Sequence, residues 1–408
     1  MITLIKNADI YAPEHIGIKD ILVANGKIEK IDDKIELTGI DFETFDAAGR
    51  KVTPGFIDKH VHVTGGGGEF GFESYASPLQ ADDLLKAGTT TVVGLLGTDG
   101  VLKELTTLYA KVKALDAQMT AWMLTGSYVY PSKTITGGVD RDIALIDKVI
   151  GCKLALSDDR GSFPTDLELK RLVADCWRGA MTCGKKGILH IHLGVLETGI
   201  DQIIRIAAES PRLASHISLT HCARQERLFH QCIGYAKNGG NLDITTGGSR
   251  FAEIKREVAI AIEAGVPLDR ITLSSDGRGG IRHVDPVTGE ETYGTGPVDS
   301  NLKEFRNIVN DGVLPFEDAL RLLTCNVAQE YSFGTKGRIA PKFDADLLIW
   351  GDDLSLEGVF AKGKRKYNNT HQYEIHIQVL PCCGHRPRPC GAVGPDIVHH
   401  LRQPRFRR

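Results

Sequence analysis

The chain has 408 residues, 42% of them hydrophobic, and 49 Lys and Arg stand against 52 Asp and Glu. That length suits one large domain with a full core and a smaller companion, and the charge balance argues against a nucleic-acid partner held by bulk electrostatics. No apolar run approaches ~18 residues, so no membrane span is expected. The stretch from Met1 to Glu14 lacks the apolar core of a secretory signal. Nine cysteines without a CxxC pair read as free thiols of a cytoplasmic protein.

In residues 1–50, the runs Ile2–Leu4, Ile21–Ala24, Lys27–Ile31 and Phe42–Asp46 alternate like short antiparallel strands. Asn25-Gly26 between two of them is a hairpin signal. From Val52 the pattern changes. Short runs rich in Val, Ile, Leu and Thr recur at Val52–His62, Thr90–Leu96, Met119–Thr125, Cys152–Ser157, Ile188–Leu193, Ile217–Cys222, Asn241–Thr246 and Ile271–Ser275. Helix-length segments lie between them, including Gln80–Ala87, Leu102–Leu115, Leu167–Met181, Gly199–Glu209 and Arg250–Ala264.

Eight strand–helix units in series predict an α/β fold, a (β/α)8 TIM-type barrel over residues 51–342. The competitor is an open doubly wound sheet, but no GxGxxG follows the first strand. Strands return at Asp346–Trp350 and Leu356–Ala361, so residues 343–366 are expected to join residues 1–50 in one small β domain built from both terminal regions. In residues 367–408 the pattern is lost while Arg and Pro accumulate, which reads as a disordered tail. Its Cys382, Cys383 and Cys390, with neighbouring histidines, fit no common zinc spacing.

The chemistry-bearing residues fall at the carboxyl ends of different strands, where a barrel builds its active site. His60 and His62 are two apart on the first run, so both rings share a face and can hold one metal ion. Taken alone, such a pair fits two packed histidines equally well. Lys153, His190, His192, His221 and Asp276 follow at later strand ends. A lysine ammonium is repelled by divalent cations and offers no lone pair. A neutral amine that condenses with CO2 becomes an anionic carbamate able to bridge two metals. His192 lies nearer its strand end and is assigned as the ligand, with His190 a satisfied histidine deeper in the barrel.

The motif PGFIDKHVH, the strand-four lysine, the later histidines and the strand-eight Asp276 together resemble the amidohydrolase superfamily. HVHVTGGGGE, WMLTGSYVYPSKTITG, KLALSDDR, LTHCAR and TLSSDG are similar, within it, to the isoaspartyl dipeptidase family, and that resemblance spans residues 1–365. It implies a zinc-dependent peptidase that cleaves the β-aspartyl bond of isoaspartyl dipeptides by a metal-activated hydroxide. Carried over by motif, His60, His62 and Asp276 hold one zinc, His192 and His221 the other, and carboxylated Lys153 bridges them. Asp276 doubles as the acid/base. Tyr128 polarises the scissile carbonyl, Glu69 faces the substrate's α-amino group, Arg160 and Arg224 hold its carboxylates, and Gly67 and Thr98 contact it.

The charges agree with that substrate, because an amine and two carboxylates need an anion and two guanidiniums. Gly280 stands where the family commonly has a substrate-contacting serine, so one hydrogen bond is expected to be missing there. The resemblance further implies a homo-oligomer. Two rivals carry weight: a cyclic-amide hydrolase of the dihydroorotase kind, which has no need of Glu69, and an inactive barrel serving as a binding module.

Overall fold

The run Val52–His62 is two strands in two different sheets. In the computed structural model, which describes residues 2–285 and 287–368, Lys51–Pro54 belongs to a mixed sheet of the chain ends. Phe56–Val61 opens the barrel. The turn between them is Gly55, where a Cβ would collide with the side chain of Thr90.

Eight parallel strands follow the order of the sequence: Phe56–Val61, Thr89–Gly94, Thr120–Gly126, Val149–Leu156, Ile188–Leu193, Ile217–Thr220, Leu242–Thr245 and Ile271–Ser274. The first six form one continuous ladder and the last two a second. Backbone hydrogen bonds such as Cys222 N to Asp243 O at 3.2 Å and His62 N to Gly277 O at 2.9 Å bridge the two seams, joined by side-chain bonds of Asn241 and Asp58. The result is a curled parallel sheet of the TIM type. Nearly every residue of these strands is buried, as expected of strands covered on both faces.

The expected helices appear as Ala81–Lys86, Leu105–Asp116, Asp166–Cys183, Asp201–Glu209 and Ile254–Glu263. The longest starts on a capping box in which Thr165 and Glu168 satisfy each other's backbone amides. Helices at Val139–Leu145, Glu226–Lys237, Ser300–Asn310, Phe316–Arg321 and Cys325–Tyr331, and a hairpin of Gly280–Val284 with Glu291–Thr295, add to that list.

The mixed sheet runs Lys364–Asn368, Leu356–Ala361, Leu347–Trp350, Lys51–Pro54, Ile2–Tyr11, His15–Ala24, Lys27–Asp32. Both chain ends therefore contribute to it. Asn25 and Gly26 both take positive φ, 51° and 80°, at the hairpin between His15–Ala24 and Lys27–Asp32. Glu43–Asp46 corrects the antiparallel expectation, since it pairs parallel with Ile2–Tyr11. The strand Lys364–Asn368 continues the sheet past the point where the sequence pattern fades. The expected tail, residues 367–408, thus begins inside this strand, where Tyr367 and Asn368 are ordered by pairing with Val359 and Gly358; the rest of it, with the rejected zinc knuckle, lies outside the described residues.

Trp350 joins sheet to barrel. It is fully buried, its indole nitrogen donates to Thr53 Oγ1 at 2.9 Å, and its ring meets Phe56, Phe305 and Phe316. A separate apolar core of Ile5, Ile10, Ile21, Val23, Val52, Leu347 and Phe360 holds the mixed sheet together. The six cysteines among the described residues are all free thiols. Among the described residues no helix is long and apolar enough to cross a membrane.

Candidate active site and metal centre

Five strand ends converge at the carboxyl end of the barrel. His60 sits on the first strand with His62 just past it, Lys153 on the fourth and His190 and His192 on the fifth. His221 follows the sixth strand and Asp276 the eighth. All seven side chains are buried. His221 and Asp276 leave their strands in left-handed backbone, φ 62° and 54°. That costs a non-glycine residue about 1–3 kcal/mol and persists where surrounding structure imposes it, most often at functional sites.

His60, His221 and Asp276 present ligand atoms that lie within 4.8 Å of one another. Asp276 Oδ1 is 3.4 Å from His60 Nε2 and 3.3 Å from His62 Nε2. His221 Nδ1 is tied to Thr245 Oγ1 at 2.7 Å, which leaves its Nε2 buried and unpartnered, and Asp276 Oδ1 is likewise a buried atom without a hydrogen bond. His60 follows the same plan, with Nδ1 2.8 Å from His190 Nε2 and its own Nε2 turned to the cluster. Burial pushes the His60 imidazole down to about 3, and those of His192 and His221 well below their ordinary value, so the rings are neutral with lone pairs available. Orphaned lone pairs on neutral imidazoles and a carboxylate are the donor set of a divalent transition metal, and the residues fit one.

Lys153 is fully buried, with Nζ 3.0 Å from His60 Nε2. Burial pushes its ammonium down to about 7. An amine that readily loses its proton is the form that can add CO2.

His192 stands apart from the trio. Its Nδ1 lies 2.8 Å from the Tyr128 hydroxyl and its Nε2 3.0 Å from Asp158 Oδ2, although its ring centroid is only 4.5 Å from that of His221. Burial raises the Tyr128 phenol above its ordinary value, so it stays protonated and able to donate.

Above the cluster opens a cleft of about 160 Å³ lined by His62, Gly67, Glu69, Thr98, Tyr128, Arg160, Arg224, Asp276 and Gly280. Glu69 Oε1 accepts from Thr98 Oγ1 at 2.8 Å and from Arg160 Nη1 at 2.9 Å. Arg160 also grips Asp158 with two bonds, Nε to Oδ1 at 2.9 Å and Nη2 to Oδ2 at 2.7 Å. Arg224 is less engaged, with a buried Nε that has no partner. At Gly280 a Cβ would run into the Glu69 carboxylate, so the missing side chain leaves room for Glu69 to lie where it does. A larger cavity, about 810 Å³, opens at the other end of the barrel beside Trp122, Phe333 and Lys336, and brings together none of the expected site residues.

Sequence reasoning missed two parts of this site. Asp158, in the SDDR run five residues after Lys153, joins His192 to Arg160. The hairpin after the eighth strand brings Arg282 to the cleft and stacks Tyr293 on Phe70, ring centroids 4.0 Å apart. The acidic-basic run was a readable signal for the first. For the hairpin, the glycines around 277–280 marked only a turn.

The amidohydrolase family pattern matches residues 51–366. The chain belongs to the amidohydrolase family. It is similar to the β-aspartyl dipeptidase of Fervidobacterium islandicum AW-1, known from two crystal structures, one in complex with a β-Asp-Leu dipeptide. Identity is 36% in both, coverage is 93% of this chain and 100% and 99% of those chains, and the TM-scores are 0.84 and 0.86. A dihydroorotase of Streptococcus pneumoniae is 34% identical over 400 residues, 85% of this chain and 89% of the relative. One of Listeria monocytogenes is 28% identical over 281 residues, 65% of this chain, and the match spans 62% of that relative's length. Within the amidohydrolase family, the buried His60, His221 and Asp276 are consistent with the metal centre.

Proposed function

We propose that this amidohydrolase is a zinc-dependent isoaspartyl dipeptidase. The observation that carries the reading is the pairing of a buried His60–His221–Asp276 ligand set with a small cleft whose walls, besides Asp276 itself, carry the Glu69 carboxylate and the guanidiniums of Arg160 and Arg224, with Arg282 reaching it from the hairpin. That charge pattern complements a substrate with one ammonium and two carboxylates. The similarity to a β-aspartyl dipeptidase over 93% of the chain supports the same substrate class.

In this reading His60, His62 and Asp276 would hold one zinc, His192 and His221 the second, and a carboxylated Lys153 would serve both. His192 then has to exchange its contact with Tyr128 or Asp158 for the metal. The bound metals would supply Lewis acidity and a water acidified toward neutral pH.

The chain's own residues do the rest. Glu69 anchors the ammonium, with Gly67 and Thr98 beside it. Arg224, and Arg160 once drawn from Glu69, anchor the carboxylates. Tyr128, kept protonated by burial, donates to the scissile carbonyl oxygen as negative charge develops. Asp276 accepts the proton of the attacking water and delivers it to the leaving amine. The free cysteines are consistent with the reducing cytoplasm, and the family likeness with a homo-oligomer.

A second reading, a dihydroorotase-like cyclic-amide hydrolase, rests on the dihydroorotase relatives. Purified zinc-loaded protein assayed on β-aspartyl dipeptides, α-aspartyl controls and dihydroorotate separates the two. Strong preference for the β-linked peptides supports the dipeptidase; turnover of dihydroorotate alone overturns it.

A further inference from the structure

His190 is buried on the strand that also carries His192, one step deeper in the barrel, and does not line the cleft. Its Nε2 is 2.8 Å from His60 Nδ1. Its Nδ1 is 2.9 Å from Ser218 Oγ and 3.1 Å from the Tyr331 hydroxyl. Two imidazole nitrogens facing each other at that distance share one proton, and the tautomers decide who donates. His60 Nε2 faces Lys153 and Asp276, so a ligand lone pair is needed there and the ring proton must sit on Nδ1. His60 therefore donates to His190 Nε2. A neutral His190 then carries its proton on Nδ1 and donates to Ser218 or Tyr331. Both of these are hydroxyls, which can accept.

We propose that His190 is a positioning residue: through a His60–His190–Ser218/Tyr331 relay it fixes the tautomer and ring orientation that make His60 a metal ligand. The relay rests on the metal-centre reading given above. Outer partners of metal-binding histidines are usually carboxylates, backbone carbonyls or water. Here the partner is a second imidazole, which holds the Nδ1 proton without adding a negative charge next to His60.

The test uses metal-stripped full-length protein and Zn2+, with affinity read by competition against a chromophoric chelator and the thermal midpoint of each metal-free variant read in parallel. His190→Leu removes the acceptor and is expected to bind Zn2+ roughly 10–100-fold more weakly. His190→Gln can place an amide oxygen near the Nε2 position and is expected to stay within about threefold of the unmodified chain. A merely space-filling His190 predicts that both variants lose stability while binding Zn2+ alike, and that result, or wild-type affinity in His190→Leu, overturns the relay. Should His190→Leu fail to fold, the double variant Ser218→Ala/Tyr331→Phe leaves the ring in place with Nδ1–H unpaired. Weakened Zn2+ binding then supports the relay and unchanged binding overturns it. An unmodified chain that binds no Zn2+ sinks the metal centre itself, and the relay with it.

Discussion

Arg160 and Glu69 hold each other across the mouth of the cleft, Nη1 to Oε1 at 2.9 Å. In the proposed reaction these two side chains bind opposite ends of the substrate's charge. A zwitterionic dipeptide would replace one ion pair by two, and neither charge need be left bare while the cleft is empty.

Removing the anion should therefore hurt selectively. Glu69→Gln is expected to lower kcat/KM for free β-aspartyl dipeptides by roughly 10–100-fold, the equivalent of ~1.5–3 kcal/mol for a hydrogen bond to a charged group. Dipeptides with an acetylated α-amino group should lose little more than they have already lost. Equal losses on both series would remove Glu69 from the ammonium site.

Gly280→Ser tests the space beside Glu69. A Cβ there meets the carboxylate, so the serine must push Glu69 off Thr98 and Arg160 or be pushed itself. The expected outcome is a raised KM for β-aspartyl dipeptides with the metal content unchanged. If KM falls instead, the added hydroxyl is contacting substrate and Glu69 has room to spare.

Lys153→Ala should cost metal and activity together. A short carboxylate such as acetate or propionate, added at high concentration, is expected to restore part of both by standing in for the carbamate. Full metal content and full activity in the alanine variant would show that Lys153 bridges nothing.

Asp276→Asn is expected to lower kcat by roughly 10²–10⁴-fold, the range for loss of general acid–base help. The amide can still fill the space but cannot take and return a proton. Circular dichroism should show the fold retained, and a near wild-type kcat would take Asp276 out of the proton path.

Glu257 offers a pH test away from the site. Its Oε1 accepts from Ala252 N at 3.1 Å, its Oε2 is buried without a partner, and burial raises its carboxyl from 4.5 to about 7. The folded chain therefore keeps this proton where the unfolded chain has lost it. Stability from this group is fully present below pH 4.5, falls as pH rises to about 7, and is flat above. Glu257→Gln should accordingly raise the thermal midpoint at pH 8 relative to the unmodified chain and lose that advantage by pH 4.5. An unchanged difference across that range would mean that Glu257 is ionised in the fold.

The barrel was legible because eight buried parallel strands leave eight apolar runs, and a run needs no partner to be recognised. The ligand types were legible for a related reason: His60, His221 and Asp276 each end such a run. What escaped was whatever depends on the neighbour. Alternation at Phe42–Asp46 signals a strand but not its direction, and Glu43–Asp46 turned out parallel. Period two places His190 and His192 on one face, yet only the packed barrel reveals that one touches His60 and the other Tyr128. The break at Gly55 was hidden because apolar residues continue across it from one sheet into the next.

That break ties the site to the ends of the chain. Lys51–Pro54 is clamped between Ile2–Tyr11 on one side and Leu347–Trp350 on the other, and a single residue separates it from the strand that carries His60. Ile2–Tyr11 and Leu347–Trp350 thus grip the handle of the strand that carries His60, and loosening that grip is expected to give play at its far end. A deletion reaching into Leu347–Trp350 removes no ligand, yet it frees the strand from behind, and the metal centre would lose its aim before the barrel lost its shape.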